Sequence, residues 1–274
     1  MRDFRKHRLV ALPQEHGAWT FLLSPLFIGL FAGKHWTPDI GYLLLGLLAA
    51  FFMRQPVAMV VKVLSGRRPR EYLPYGLLWS AVYGIIGLAA LVVLLQQGHV
   101  YLLWLLPPGI LVFAWHLMLV ARRNERRQIG VEIVASGVLA LAAPAAYWMP
   151  YNGPQPAGWL LWLLAWLQSA ASIVFVYLRL EQRSWAEVPP LEERFNAGHR
   201  ALMYAGFNVV LALVLGLSRS IPPWVWLAYL VQFAEVLWGT WHPAVKWRPS
   251  RIGIRQMVVS TLFTLVFILT WRMG

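Results

Sequence analysis

The chain has 274 residues, 59% of them hydrophobic and only 13% charged, where a soluble domain carries about 25% charged residues. A mean hydropathy of +0.57, with 16 Trp, 10 Tyr and 13 Phe among long Leu, Val and Ala runs, excludes a water-soluble globular domain and predicts an all-α integral membrane protein. The net charge of +13 has a topological explanation in basic loops, so nucleic acid is not an expected partner, and the absence of Cys excludes disulfides, thiolate catalysis and Cys-ligated metal.

A helix needs about 20 mostly apolar residues to cross the hydrocarbon core. Runs of that length, cut by Pro, Gly and charged clusters, predict nine spans in a single transmembrane helical domain covering 1–274. The first, 17–33, follows the basic leader MRDFRKHR; no small-residue cleavage site stands behind that leader, so the span is expected to be retained. Within it Gly29 and Gly33 have the GxxxG spacing that lets helices approach closely. Spans at 40–61, 75–95 and 100–121 come next, then one at 129–149 interrupted by Pro144, and a sixth at 157–178. The longest loop, RLEQRSWAEVPPLEERFNAGHR from Arg179 to Arg200, is expected to form a short amphipathic lid before spans at 201–217, 221–242 and 252–271.

The charges test this division. Twenty of the 24 Lys and Arg residues fall before the first span or after the second, fourth, sixth and eighth, and only Lys34, Arg219 and Arg272 fall on the other side. Basic loops stay in the cytoplasm. The alternation therefore predicts a multi-pass protein of the bacterial cytoplasmic membrane with its N-terminus inside and its C-terminus outside.

An ionisable group inside a span costs about 2.5 to 3.5 kcal/mol on insertion scales and normally faces a partner or a cavity. Arg54, Gln55, Glu132, Asn208, Gln232 and Glu235 share the cytoplasmic half of their spans with His16, His116 and His242. If their helices surround one centre, these groups line a single cavity open to the cytoplasm. A plain alternative is that Arg54 pairs with Glu132 or Glu235 only to fix helix register. Arg54 and Lys62 lie about 80 degrees apart on one helix. Together with Arg67 and Arg68 they would suit a diphosphate or another multiply anionic headgroup, which favours an anionic amphiphile with its tail in the bundle.

The opening LPQEHGAWTFLLSPLFIGL resembles the signature of the YwiC-like family of bacterial membrane proteins. The span order is similar to that of the UbiA superfamily of intramembrane prenyltransferases, which have nine helices, a cytoplasmic N-terminus and a central cavity. That resemblance implies a UbiA-like bundle binding an isoprenoid diphosphate. The superfamily holds Mg²⁺ on two Asp-rich motifs, and oxygen ligands are what Mg²⁺ requires. Here Lys62 and Arg67 stand about where the first motif would be, and the second region, FVYLRLEQR, offers only Glu181 as a carboxylate; Asp occurs only at Asp3 and Asp39. No metal and no cofactor is therefore expected.

The expected function is binding of an isoprenoid or other anionic membrane lipid, with Arg54, Gln55, Lys62, Arg67, Arg68, Arg179, Glu181, Asn208 and Glu235 as binding residues. In a metal-independent, prenyltransferase-like transferase the cations would neutralise the diphosphate, and Glu15, His16 and Glu132 would handle protons. The alternatives are a non-catalytic lipid-binding or accessory protein and a small-molecule transporter.

Overall fold

The computed structural model describes residues 2–13, 18–33, 35–123 and 128–274. Among these residues the regular structure is helical, with no strand. The helices are α1 (Arg2–Ala11), α2 (Ala18–Ala32), α3 (Ile40–Leu64), α4 (Leu73–Gln96), α5 (Leu106–Ala121), α6 (Ile129–Leu139), α7 (Ala142–Trp148), α8 (Pro156–Gln182), α9 (Leu191–Leu217), α10 (Trp226–Trp241) and α11 (Pro249–Arg272).

Among the described residues, seven stretches are long and apolar enough to cross a membrane: Ile40–Leu64, Arg70–Gln96, Val100–Ala121, Ile129–Tyr151, Pro156–Gln182, Leu191–Leu217 and Pro249–Arg272. The two other expected spans correspond to shorter helices. α2 has 15 residues and α10 has 16, so each rises only about 22 to 24 Å against a hydrocarbon core of about 30 Å.

Two expectations about loops are refined. The stretch at 129–149 is broken between α6 and α7, because Pro144 has no amide to give the carbonyl of Ala140 and its ring crowds that carbonyl. Ala143 N–H takes the bond instead, at 3.0 Å. The lid expected over Arg179 to Arg200 is mostly helix: α8 continues to Gln182, α9 starts at Leu191, and residues 183–190 connect them. Pro190 sets the extended backbone before α9, and Glu192 and Glu193 place negative charge at its first turn, where the helix dipole favours it.

The chain divides into two compact units. The first comprises the described residues within 1–16, 35–131 and 148–155. Here α3 packs along α4, with α1 against both and α5 against α3. Trp79 Nε1 donates to His7 Nδ1 at 3.2 Å, the Tyr83 hydroxyl donates to the Ala11 carbonyl at 3.1 Å, and Lys6 pairs with Glu71 at 2.8 Å. At the start of α3, Asp39 Oδ2 lies 3.0 Å from His99 Nε2, and His99 Nδ1 lies 2.9 Å from the Tyr101 hydroxyl. Most of α4 and α5 faces outward: 11% and 6% of their most apolar stretches are buried, as expected of lipid-facing helices.

The second unit comprises the described residues within 17–34, 132–147 and 156–274. Its central helix is α8, with 61% of its most apolar stretch buried; α2, α9, α10 and α11 all pack against it. Ile28, Ala143, Leu161, Leu164, Tyr229, Phe263 and Phe267 form the heart of its core. Gly29 is required there, because a Cβ at that position would fall 2.2 Å from the Ala143 carbonyl oxygen. Gly29 thus marks a backbone-to-backbone approach of α2 and α7. Two indoles tie α6 to α8, Trp162 Nε1 donating to the Gly137 carbonyl and Trp166 Nε1 to that of Ile133, each at 2.8 Å.

Candidate functional site

The densest polar chemistry in the second unit gathers where α8 and α10 end and α11 begins. Arg179 lies on the last turn of α8 and is only 1% exposed. Its Nη1 reaches Gln182 Oε1 at 2.9 Å and the carbonyls of Gly239 and His242 at 2.7 Å each. Those carbonyls belong to the end of α10, so Arg179 serves as a cation on the negative end of that helix. Gly239 permits this approach, since a Cβ there would meet the Phe175 ring at 2.5 Å and Arg179 Nη1 at 3.3 Å. Gln182 completes the cap: its Nε2 donates to Gly239 O at 3.2 Å and its Oε1 accepts from Ala244 N–H at 3.2 Å.

Capping accounts for Nη1 only. Arg179 Nη2 is buried and, among the described residues, has no hydrogen-bond partner. The guanidinium carbon sits 4.7 Å from the Trp247 ring centroid and 5.7 Å from that of Trp238. Trp247 also carries Arg251 at 4.0 Å, and Trp238 carries Arg255 at 3.8 Å. The groups thus form a ladder of contacts, Arg251, Trp247, Arg179, Trp238, Arg255, in which each indole is shared by two guanidiniums and repays part of their desolvation through its ring quadrupole. Lys246, beside Trp247, takes φ of 58°, a left-handed conformation costing about 1 to 2 kcal/mol for an L-residue.

One carboxylate balances this ladder. Arg255 grips Glu235 through Nε at 2.5 Å and Nη2 at 2.7 Å, the two-pronged geometry that suits Arg to carboxylate and phosphate alike. Glu235, Arg255 and Arg251 are the charges that act electrostatically on Arg179. Three guanidiniums stand against one carboxylate in that set.

A buried amide cluster continues from α10 into the core. Gln232 Oε1 accepts from Gln168 Nε2 and from Gln256 Nε2, each at 3.0 Å, and Gln256 Nε2 lies 2.7 Å from Ser172 Oγ. Gln168 Oε1 and Gln232 Nε2 are left buried without partners among the described residues. Reversing all three amides leaves the same count, one donor and one acceptor over.

Of the expected site residues, Arg179 and Glu235 meet in this ladder. Asn208 is buried, its Nδ2 donating to the Leu167 carbonyl at 2.9 Å. Glu132 is exposed on α6 and accepts from the Tyr177 hydroxyl at 2.6 Å, and Glu181 is exposed on α8. Arg54, Gln55, Lys62, Arg67 and Arg68 lie in the first unit. Arg54 lies over the Phe51 ring at 5.6 Å, Gln55 Nε2 donates to the Leu9 carbonyl at 3.2 Å, Arg67 donates to the Val120 carbonyl, and Arg68 is exposed beyond α3. Glu15 and His16 lie outside the described residues. Sequence reasoning missed Arg251, Arg255, Trp238, Trp247 and Gln256. The available signal was the four-residue spacing of Arg251 and Arg255, which places them one above the other on a helix.

Known proteins resemble the chain as follows. The model of a family described as YwiC-like protein matches residues 12–147. The chain is 24% identical over 266 residues to the uncharacterized protein YwiC of Bacillus subtilis (strain 168), a match covering 94% of this chain and 97% of that protein. No solved structure matches it.

Proposed function

Because this chain belongs to the YwiC-like family and carries seven helices of spanning length, we propose that it is a multi-pass protein of the cytoplasmic membrane that binds an anionic lipid, an isoprenoid phosphate among the candidates. The observation that carries this reading is the ladder: three guanidiniums, one fully buried, share a single carboxylate. Capping α10 requires one of those cations, and the excess of positive charge beside apolar helices suits an anionic headgroup whose tail stays in lipid.

In this reading α2 and α10 complete nine spans with a cytoplasmic N-terminus, as in UbiA-like bundles, and the ladder faces the cytoplasmic leaflet, where the basic loops belong. The basic set Arg54, Lys62, Arg67 and Arg68 is a second anionic contact in the first unit. A metal-independent transferase step is the catalytic form of the proposal, with Glu132 as its described proton-handling group. Transport is the second reading, favoured by the buried amides of Gln168, Gln232 and Gln256.

The native absence of Cys makes topology directly testable. Under this reading, Ser65→Cys is labelled by an impermeant thiol reagent only after cells are opened, and Ser218→Cys is labelled on intact cells; the reverse pattern overturns the orientation. Lipids that co-purify in mild detergent should be enriched in anionic species in the parent and depleted in Arg251→Gln. Equal lipid profiles for the two overturn the assignment of the headgroup to the ladder.

A further inference from the structure

The face of α11 that carries the ladder's outer arginines continues as an apolar stripe. Taking Arg255 as the origin, Leu262, Arg251, Val258 and Leu265 all fall within about 80 degrees around the helix. Val258, Leu262 and Leu265 are 61%, 48% and 55% exposed. With Met257 and Thr261 they line a shallow hollow of about 310 Å³. From Arg255 to Leu265 the helix rises about 15 Å, half of a hydrocarbon core of about 30 Å. A cationic end and an apolar furrow one leaflet long thus share one helix face.

Charge narrows the occupant. Arg251, Arg179 and Arg255 face one carboxylate, Glu235, which already holds Arg255 in two bonds. The set carries an excess of two positive charges. A phosphodiester headgroup supplies one negative charge, whereas a terminal phosphate carries between one and a half and two near neutral pH, its second pKa being about 6. Arg251 is exposed at the ladder's outer end, with its guanidinium stacked and so pre-ordered on Trp247, and a planar fork on a fixed platform loses little entropy on gripping phosphate.

We propose that this face of α11 is a docking site for a membrane lipid ending in a phosphomonoester, its phosphate on Arg251 within the positive field of Arg179 and Arg255 and its chain along Val258, Leu262 and Leu265. The inference rests on the anionic-lipid reading above and adds the headgroup class and the place of the tail.

The test uses the full chain in mild detergent, with thermal stabilisation and native mass spectrometry reading binding of phosphatidate, phosphatidylglycerol, phosphatidylcholine and inorganic phosphate. Phosphatidate should bind at least tenfold tighter than phosphatidylglycerol at pH 7.5. That preference should shrink severalfold at pH 5, where the terminal phosphate takes up its second proton. Arg251→Gln, at an exposed position, should abolish the preference, and Val258→Trp, filling the furrow, should weaken phosphatidate about tenfold while leaving the fold intact. Equal binding of phosphatidate and phosphatidylglycerol, both lost in Arg251→Gln, overturns the phosphomonoester inference and leaves the anionic-lipid reading standing. Inorganic phosphate binding as tightly as phosphatidate, or phosphatidate binding unchanged in Val258→Trp, overturns the placement of the tail. Anionic lipid binding unchanged in Arg251→Gln overturns the assignment of the headgroup to the ladder and this inference with it, and anionic lipid binding absent altogether removes both readings.

Discussion

Gly29→Ala adds one methyl group to α2, and the structure says where it would go. Its Cβ would lie 2.2 Å from the Ala143 carbonyl oxygen and 2.9 Å from both the carbonyl carbon and Cα of that residue. Ordinary contact with carbon begins near 3.5 Å, so α2 must withdraw by about 1 Å. The obstacle is backbone, which has no rotamer to change. Withdrawal loosens Leu26, Ile28 and Ala143, now 1%, 0% and 0% exposed. Overpacking a dense core costs about 1 to 3 kcal/mol, and an unyielding backbone contact places this substitution at the upper end. Offset by the roughly 1 kcal/mol that Ala gains over Gly inside a helix, the net loss is about 2 kcal/mol. Gly253→Ala is the matched control, since nothing lies within 4 Å of its added Cβ on α11; it should be neutral or slightly stabilising. Fluorescence-detected size-exclusion melting in detergent should rank Gly29→Ala several degrees below the parent and Gly253→Ala at or above it. Indistinguishable melting of the two variants would refute the close approach of α2 and α7.

Three further outcomes are expected. Glu235→Gln leaves the ladder without its carboxylate and, because Arg255 is partly exposed, should cost about 1.5 to 3 kcal/mol, as a lost charged hydrogen-bond partner does; pairing it with Arg255→Leu should recover much of the loss in the same melting assay. Gln232→Leu removes the shared acceptor of Gln168 and Gln256 and should destabilise by about 1 to 3 kcal/mol, while replacing all three glutamines with Leu should cost less than the single change, because no buried amide is then left unmade. Asp39→Asn weakens the contact that orients His99 toward Tyr101 in the first unit and should lower the melting temperature, with a loss of about 1 kcal/mol. An unchanged melt would mean that the three side chains meet without stabilising that end.

Which parts of this architecture can be read from the chain follows from what each residue type signals alone. Apolar length and the periodic return of Lys and Arg predict membrane helices, because both follow from the low dielectric of lipid. Pro144 marks a helix break and Gly29 a close approach, because backbone sterics act locally. Arg251 and Arg255 carry only their four-residue spacing, which has no meaning until a helix is known to hold both. Each reads as one more topological charge until α11 is seen to begin at Pro249, which puts both on one helical face. Trp238 and Trp247 carry no local mark of their role, and only folding brings each against two guanidiniums. The segment after Arg179 reads as a loop because its charges look solvated, yet Arg179 itself is buried against the end of α10. Tertiary electrostatics of this kind depends on the meeting of three helices, which no single stretch of sequence specifies.

The second unit is assembled from chain segments made at opposite ends of synthesis. Ser24 of α2 lies 2.5 Å from Thr264 of α11, and Arg272 donates to the Phe31 carbonyl at 2.8 Å, across 241 residues. At about 5 to 20 residues per second of translation, α2 waits roughly 12 to 48 seconds before α11, some 240 residues later in the chain, emerges. During that interval its glycine face and Ser24 are open to whatever other helices are nearby. Until α11 arrives, α2 lacks the partners that Ser24 and the Phe31 carbonyl meet in the folded unit, so this part of the core closes only after the final helix of the unit is made.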